Sequence, residues 1–246
     1  MDSKGKLWVA LDTEKDKSLE IVDKLVAAKL PVVRGAKLNR SIDQEVFAKL
    51  GERRILEVMK DGGISSWVDM KFHDVPRTVA GRIEPYVSSG LVSYITVMAK
   101  GEVDMMNDAV LAAKPVGVNI IAVTELTSLT EEQVHLGSGN PAKASVINLA
   151  RLAVLSEVEY LVCSGQEVAV IRARRELKKL KLFVPAVNPS FASTGADQNR
   201  TMTIIDALRA GVDAVVVGSI IVNASDPIGV IKRIAQEIED APEKPG

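Results

Sequence analysis

The chain has 246 residues, of which 47% are hydrophobic, and a formal net charge of -1 at neutral pH. This length and composition are typical of a globular protein with one large domain. The nearly balanced charge and an aromatic content of only 4% argue against nucleic acid or an anionic membrane surface as a partner.

Short apolar runs alternate along the chain with longer segments that have helical periodicity. The pattern predicts strands at 7–11, 32–37, 66–71, 92–98, 117–123, 160–163, 182–187 and 214–217. It predicts helices at 18–29, 43–60, 77–88, 103–113, 141–156, 166–179, 201–210 and 227–239, with polar loops before the fifth and seventh helices.

Eight strand–helix units in about 240 residues predict an α/β fold, a (β/α)8 TIM barrel that forms a single domain over residues 1–246. We expect a short disordered tail from about residue 241. An open, doubly wound sheet has a similar local pattern, but eight units favour a closed barrel.

Polar residues follow nearly every predicted strand, and in such a barrel the active site lies at the C-terminal strand ends. These polar ends are Asp12, Lys37, Asp69 with Lys71, residues 124–127, Ser164, residues 188–198, and Gly218 with Ser219. We therefore expect one rim of the barrel to collect these groups.

The most informative stretch is 67–78, with the sequence WVDMKFHDVPRT. Strand alternation places Asp69 and Lys71 on one face at the tip of the third strand, and Asp74 in the turn that follows. An isolated D-x-K is most simply a surface salt bridge, but the longer motif D-M-K-F-H-D-V-P-R-T is more specific. It resembles the D-x-K-x-x-D-[IV]-P-x-T signature of the orotidine 5'-monophosphate decarboxylase family.

The resemblance implies a decarboxylase without a cofactor, which converts orotidine 5'-monophosphate to UMP and CO2 in de novo pyrimidine biosynthesis. It assigns catalytic roles to Lys71, Asp69, Asp74 and Lys37. Decarboxylation leaves a vinyl carbanion that nothing in the ring delocalises, so fixed charge must stabilise it. We expect Lys71, kept protonated by flanking carboxylates, to stabilise and then protonate this carbanion, while Asp69 repels the substrate carboxylate.

Motifs at the first two strands extend the resemblance. V-A-L-D at 9–12 implies that Asp12 holds the ribose hydroxyls, although a turn aspartate that caps the first helix is the alternative. A-K-L-N implies that Lys37 contacts both the sugar and the catalytic aspartate, with Arg34 as a rival for this position.

Motifs at later strands and the turn after the third strand concern substrate binding and assembly. T-E-L-T at 124–127 implies that Thr127 contacts the pyrimidine. G-A-D-Q-N-R resembles the end of the phosphate loop and nominates Gln198 as a contact to the phosphate and the base, although long loops in barrels are often tolerated insertions. C-S-G-Q-E resembles a sixth-strand motif, and we interpret its serine as a helix cap. The resemblance also implies a homodimer in which Asp74 and Thr78 enter the site of the partner subunit.

The phosphate site departs from the family pattern. The usual P-G-I-R-P is P-A-V-N-P at 185–189, and the usual V-G-R is V-G-S at 217–219, so the main phosphate arginine is missing. A hydroxyl does not replace an Arg–phosphate pair at equal strength. We expect backbone N–H groups of Gly218 and Ser219 to bind the phosphate instead, with Arg200 as a further candidate.

Two alternatives stay open. One is a related barrel enzyme that acts on a sugar phosphate with a divalent metal and acidic rim residues, against which Lys37 argues. The other is a nucleotide-binding homologue without catalysis. No spacing of His, Cys, Asp and Glu suggests a metal site. The single Cys163, expected to be a buried inert thiol, and the lack of a signal-peptide core or membrane-length apolar run predict a cytoplasmic protein.

Overall fold

The computed structural model describes residues 1–39, 41–42, 54–192 and 202–241. Its strands are β1 (Leu7–Leu11), β2 (Val33–Leu38), β3 (Ser65–Phe72), β4 (Tyr94–Met98), β5 (Asn119–Val123), β6 (Tyr160–Val162), β7 (Lys181–Val184), β8 (Val187–Asn188), β9 (Met202–Thr203) and β10 (Ala214–Val217). Eight of them form a closed barrel in the order β1-β10-β7-β6-β5-β4-β3-β2, and every neighbouring pair is parallel. The small strands β8 and β9 pair separately. The predicted (β/α)8 fold is confirmed.

The helices surround the barrel. They are α1 (Lys15–Ala28), α2 (Arg54–Asp61), α3 (Pro76–Val87), α4 (Glu102–Ala113), α5 (Glu131–Ser138), α6 (Ala142–Leu155), α7 (Val168–Arg172), α8 (Ile204–Arg209), α9 (Ser219–Val222) and α10 (Pro227–Asp240). Within the described ranges, no helix combines the length and the apolar character that crossing a membrane requires.

Side-chain alternation along the strands divides the core into two clusters. In β1, Leu7, Val9 and Leu11 face the helices, while Trp8 faces the barrel interior. The interior is filled by large aromatic rings, and Trp8 lies edge-on to Trp67 with ring centroids 5.4 Å apart. The interior is therefore a packed core with no open pore, so a ligand can approach only at the strand ends.

Four predicted segments differ from the structure. The helix predicted at 201–210 starts only at Ile204, because Met202 and Thr203 form β9 and Thr203 caps the helix. The predicted helix at 166–179 is broken, because the chain leaves the helical region at Arg174 and only α7 and two 3₁₀ turns remain. The polar loop before residue 141 contains α5, which starts with a capping box between Thr130 and Gln133. The predicted strand at 182–187 divides into β7 and β8, since Ala186 has a left-handed φ of 57°. The predicted start of the helix at 43 lies outside the described residues.

Candidate active site

A cavity of about 280 Å³ lies at the C-terminal ends of the barrel strands. Six of the predicted site residues line it, and these are Asp12, Lys37, Asp69, Lys71, Thr127 and Gly218. They come from strand ends or loops of β1, β2, β3, β5 and β10, which are far apart in sequence. The barrel thus collects the polar strand ends into one site.

Asp69 is the centre of the charged groups. Its Oδ2 atom accepts hydrogen bonds from Lys37 Nζ at 2.7 Å and from Lys71 Nζ at 2.8 Å. The side chain of Asp69 is only 6% exposed, whereas that of Lys71 is 33% exposed. A buried carboxylate with two ammonium partners is compensated, and the more exposed lysine is the one that a bound molecule can reach.

Lys37 joins Asp69 to Asp12. Its Nζ lies 3.2 Å from both carboxylate oxygens of Asp12. Burial opposes the charge of Lys37, but the charges and hydrogen bonds of Asp69 and Asp12 outweigh it and raise the pKa of Lys37 above its ordinary value. The charged form of Lys37 is therefore favoured by its two carboxylate partners. The helix α1 has no side-chain cap, so the alternative role for Asp12 finds no support.

Arg34, the rival of Lys37, lies towards the opposite end of β2. Its Nη2 atom donates to the hydroxyl of Tyr94 at 2.7 Å, and its guanidinium lies over the Tyr94 ring. It does not line the cavity at the C-terminal rim. Of the two cations on β2, Lys37 is the one that belongs to this site.

The C-terminal end of β3 has an irregular backbone, and Asp69 and Lys71 lie in this irregular segment. Lys71 has a left-handed φ of 49°, which is uncommon for a residue with a side chain. Strained backbone of this kind collects at functional sites because the surrounding structure maintains it. Asn39 Nδ2 donates to the Asp69 carbonyl at 2.6 Å, and Thr96, a fully buried residue of β4, contacts both Asp69 and Lys71.

Thr96 and Asn39 were not among the predicted site residues. Asn39 stands in the A-K-L-N motif, directly after β2. Thr96 is the only polar side chain of the strand Tyr94–Met98 that lies among aliphatic neighbours, with Ile95 and Val97 on either side. The sequence did contain a signal for Thr96. It is a threonine between aliphatic residues in the strand next to the one that carries Asp69.

Asp74 and Thr78 do not line the cavity formed by this one chain. The Asp74 carboxylate accepts the backbone N–H of Val75 at 2.8 Å and lies 3.7 Å from Arg82. Val75 is 62% exposed. The structure thus places this turn on the surface next to the site, with a large aliphatic side chain open to solvent.

The predicted phosphate end is weakly charged in the described part of the chain. Gly218 lines the cavity with Pro185 and Ala186, and the exposed Ser219 starts the four-residue helix α9. Lys37 and Lys71 are the only cations among the described residues that line the cavity. Gln198 and Arg200 lie outside the described residues.

Other predicted roles concern residues beside the site. Ser164 accepts the backbone N–H of Gln166 at 3.3 Å, so its interpretation as a cap agrees with the structure. Cys163 is fully buried, and burial raises the pKa of its thiol, which makes the thiolate scarce. Glu125, which also lines the cavity, binds Ser145 and pairs with Lys100, a contact that the sequence did not predict.

Among the side chains of the described ranges, no group of three or more His, Cys, Asp or Glu residues could hold a metal ion.

Comparison with known proteins places this barrel among named enzymes. The profile of the orotidine 5'-phosphate decarboxylase / HUMPS family matches residues 5–234. The chain is 36% identical over 239 residues to the orotidine 5'-phosphate decarboxylase of Saccharophagus degradans, which covers 96% of this chain and 95% of that protein. It is 40% identical over 192 residues to the enzyme of the same name from Anaeromyxobacter dehalogenans, which covers 78% and 82%.

Solved structures are similar in fold. The orotidine 5'-phosphate decarboxylase from Lactobacillus acidophilus superposes with a TM-score of 0.74 and 24% identity, over 96% of this chain and 99% of that one. The orotidine 5'-monophosphate decarboxylase from Methanocaldococcus jannaschii, solved with the inhibitor BMP, gives a TM-score of 0.72 and 20% identity, over 96% and 100%. At these identities the likeness concerns the barrel alone.

Proposed function

The chain belongs to the orotidine 5'-phosphate decarboxylase / HUMPS family, and from this premise we propose that it decarboxylates orotidine 5'-monophosphate to UMP and CO2. The observation that carries the proposal is the Lys37–Asp69–Lys71 array at the cavity. In it, a buried carboxylate is bound by two ammonium groups, of which only Lys71 is substantially exposed. The step belongs to de novo pyrimidine biosynthesis and needs no cofactor in this mechanism.

The array supplies what the reaction requires. The bond between the ring carbon and the carboxylate breaks, CO2 leaves, and the electron pair stays on the ring carbon. The ammonium of Lys71 stabilises this charge and then gives one N–H proton to the carbon, after which the neutral amine regains a proton from solvent. Asp69 faces the substrate carboxylate, and its negative charge disfavours the bound ground state.

The sugar-phosphate alternative fits the geometry less well. That chemistry needs a divalent metal held by acidic groups at the rim, but the end of β2 presents Lys37, bound to both Asp12 and Asp69. An ammonium at the centre of two carboxylates competes with a metal for the same oxygens. The relatives at 36% and 40% identity are also named as decarboxylases.

We further propose that the active form is a homodimer in which Asp74 and Thr78 complete the site of the partner subunit. Neither residue lines the cavity of its own chain, and the exposed Val75 beside Asp74 offers apolar area for an interface. With the partner's carboxylate added, Lys71 lies between two carboxylates.

The direct test is the loss of ultraviolet absorbance of orotidine 5'-monophosphate with the purified protein and no added metal. We expect turnover that is unaffected by a chelator. No turnover at saturating nucleotide contradicts the proposed function, and the next assays are then sugar phosphates with magnesium and nucleotide binding without chemistry.

The replacement Ser219→Arg tests the altered phosphate site. An arginine at the position after Gly218 restores a charge-assisted contact to the phosphate, so KM for the nucleotide should fall about 10- to 100-fold while kcat changes little. Steady-state kinetics at constant ionic strength measure both constants. Ser219→Gln is the matched control of similar length without charge. An unchanged or higher KM for Ser219→Arg indicates that another group already occupies the phosphate site.

A further inference from the structure

The catalytic tip of β3 does not follow regular sheet pairing with β4. Trp67 and Val68 pair with Tyr94 and Ile95, but the next paired residue of β3 is Phe72, which is opposite Val97. Three residues of β3, Asp69 to Lys71, therefore stand opposite a single residue of β4. That residue is Thr96. The bulge turns two charged side chains towards the cavity at the expense of regular backbone pairing.

The side chain of Thr96 takes over the hydrogen bonds at this bulge. Its Oγ1 atom accepts the backbone N–H of Lys71 at 3.0 Å and donates to Oδ1 of Asp69 at 3.0 Å. A hydroxyl has one proton, and the other acceptor within reach, the carbonyl of Val68, is farther away at 3.4 Å. One fully buried hydroxyl thus connects the backbone of the proposed proton donor to the carboxylate beside it.

The two oxygens of Asp69 have different partners. Both lysines bind Oδ2, and among the described residues the Thr96 hydroxyl is the only group that binds Oδ1. Without the Thr96 hydroxyl, the Asp69 carboxylate can rotate about its Cβ–Cγ bond. Its two oxygens can then be shared differently between the two lysines. The N–H of Lys71 also loses its acceptor where the backbone has a left-handed φ.

We infer that Thr96 is a positioning residue of this site, which fixes the orientation of the Asp69 carboxylate and the backbone of Lys71 at the bulge. The inference rests on the proposed function. Thr96 touches no reacting atom, and its effect on the reaction passes through Asp69 and Lys71. This positioning matters most in the transition state, when negative charge develops on the ring carbon next to the Lys71 ammonium. A small displacement of Lys71 or Asp69 then weakens the stabilisation of that charge.

The test replaces the hydroxyl with a methyl group, Thr96→Val, at nearly constant volume. We expect kcat for orotidine 5'-monophosphate to fall about 10- to 100-fold, because the charge-assisted hydrogen bond to Asp69 and the neutral one from the Lys71 backbone N–H are both lost. KM should stay constant or fall, since a loosened Asp69 repels the substrate carboxylate less. Thr96→Ser keeps the hydroxyl and should restore kcat to within about threefold of the original protein.

Thr124→Val is the matched control. Thr124 is also fully buried, lies directly after the neighbouring strand β5, and donates its hydroxyl to the carbonyl of Val162 at 2.9 Å. Its removal should lower the thermal midpoint to a similar extent while changing kcat less than threefold. Equal losses of kcat in both variants, or no loss in Thr96→Val, overturn the inference.

A crystal structure of Thr96→Val tests the inference without measuring turnover. We expect the Asp69 carboxylate to rotate and the Lys71 backbone to shift towards ordinary strand geometry. An unchanged carboxylate overturns the inference even if the protein acts on a different substrate. If the original protein turns over and Thr96→Val does so equally well, only the role of Thr96 is wrong and the proposed function stands.

Discussion

Lys71→Ala is expected to lower kcat for orotidine 5'-monophosphate by at least about 10⁴-fold, since in the proposed mechanism this one group supplies both charge stabilisation and the proton. Lys71 Nζ lies 2.8 Å from Asp69 and is the more exposed of the two lysines that line the cavity within the described ranges. KM should change much less than kcat, because the proposed contacts to the ring and the ribose come from other residues. The measurement is the decrease in substrate absorbance over time at saturating nucleotide.

Lys100→Ala is a well-matched control for Lys71→Ala. Its side chain has the same 33% exposure, and its Nζ lies 2.8 Å from a buried carboxylate, that of Glu125. Lys100 does not line the cavity, so its loss should reduce kcat less than about tenfold, although it leaves Glu125 without its cation. Similar losses for the two variants contradict the assignment of Lys71 as the proton donor.

A homodimer of the Asp74→Asn variant is expected to have a kcat about 10³-fold lower than the original protein. Activity should return when this variant is mixed with the Lys71→Ala variant. In a mixed dimer, the Lys71→Ala subunit donates an intact Asp74 to the site that keeps Lys71. Random exchange after unfolding and refolding at equal amounts makes half of the dimers mixed with one good site each, so about a quarter of the original activity should return.

A second mixture controls this experiment. Asp69 and Lys71 belong to the same cavity, and their side chains are in contact. A mixture of Lys71→Ala with Asp69→Asn therefore leaves every site without one of the two groups, and no activity should return. If Asp74→Asn turns over like the original protein, or if its mixture with Lys71→Ala stays inactive, Asp74 does not act across a subunit interface.

The position of the site at the rim followed from the sequence. Asp12, Lys37, Asp69 and Lys71 each end an apolar run, and parallel strands in a barrel bring their C-terminal ends to one side whatever the loops between them do. Residues that are distant in the chain are therefore predicted to lie at the same rim from their positions at the strand ends alone.

Local sequence was less informative where tertiary contacts override the local pattern. The segment at 166–179 has helical periodicity, yet the chain leaves the helix at Arg174. Just before this point, the guanidinium of Arg172 donates hydrogen bonds to the backbone carbonyls of Leu180 and Gly211. Likewise, the apolar run at 182–187 gave no sign of the left-handed Ala186 that separates β7 from β8. The carbonyls of Leu180 and Gly211 come close to Arg172 only in the folded barrel.

The sequence by itself determined the barrel fold and its polar rim, since these depend on strand periodicity and on which residues end each strand. The family motifs predicted six of the residues that line the cavity but not Glu125, which lines it too. The sequence favoured Lys37 over its rival Arg34, and the structure shows the Lys37–Asp69 contact. Only the tertiary structure decided that Thr96 binds both Asp69 and Lys71. These contacts depend on register between neighbouring strands and on the bulge at the tip of β3. Register between strands is set by packing across the barrel, so no single stretch of sequence contains it.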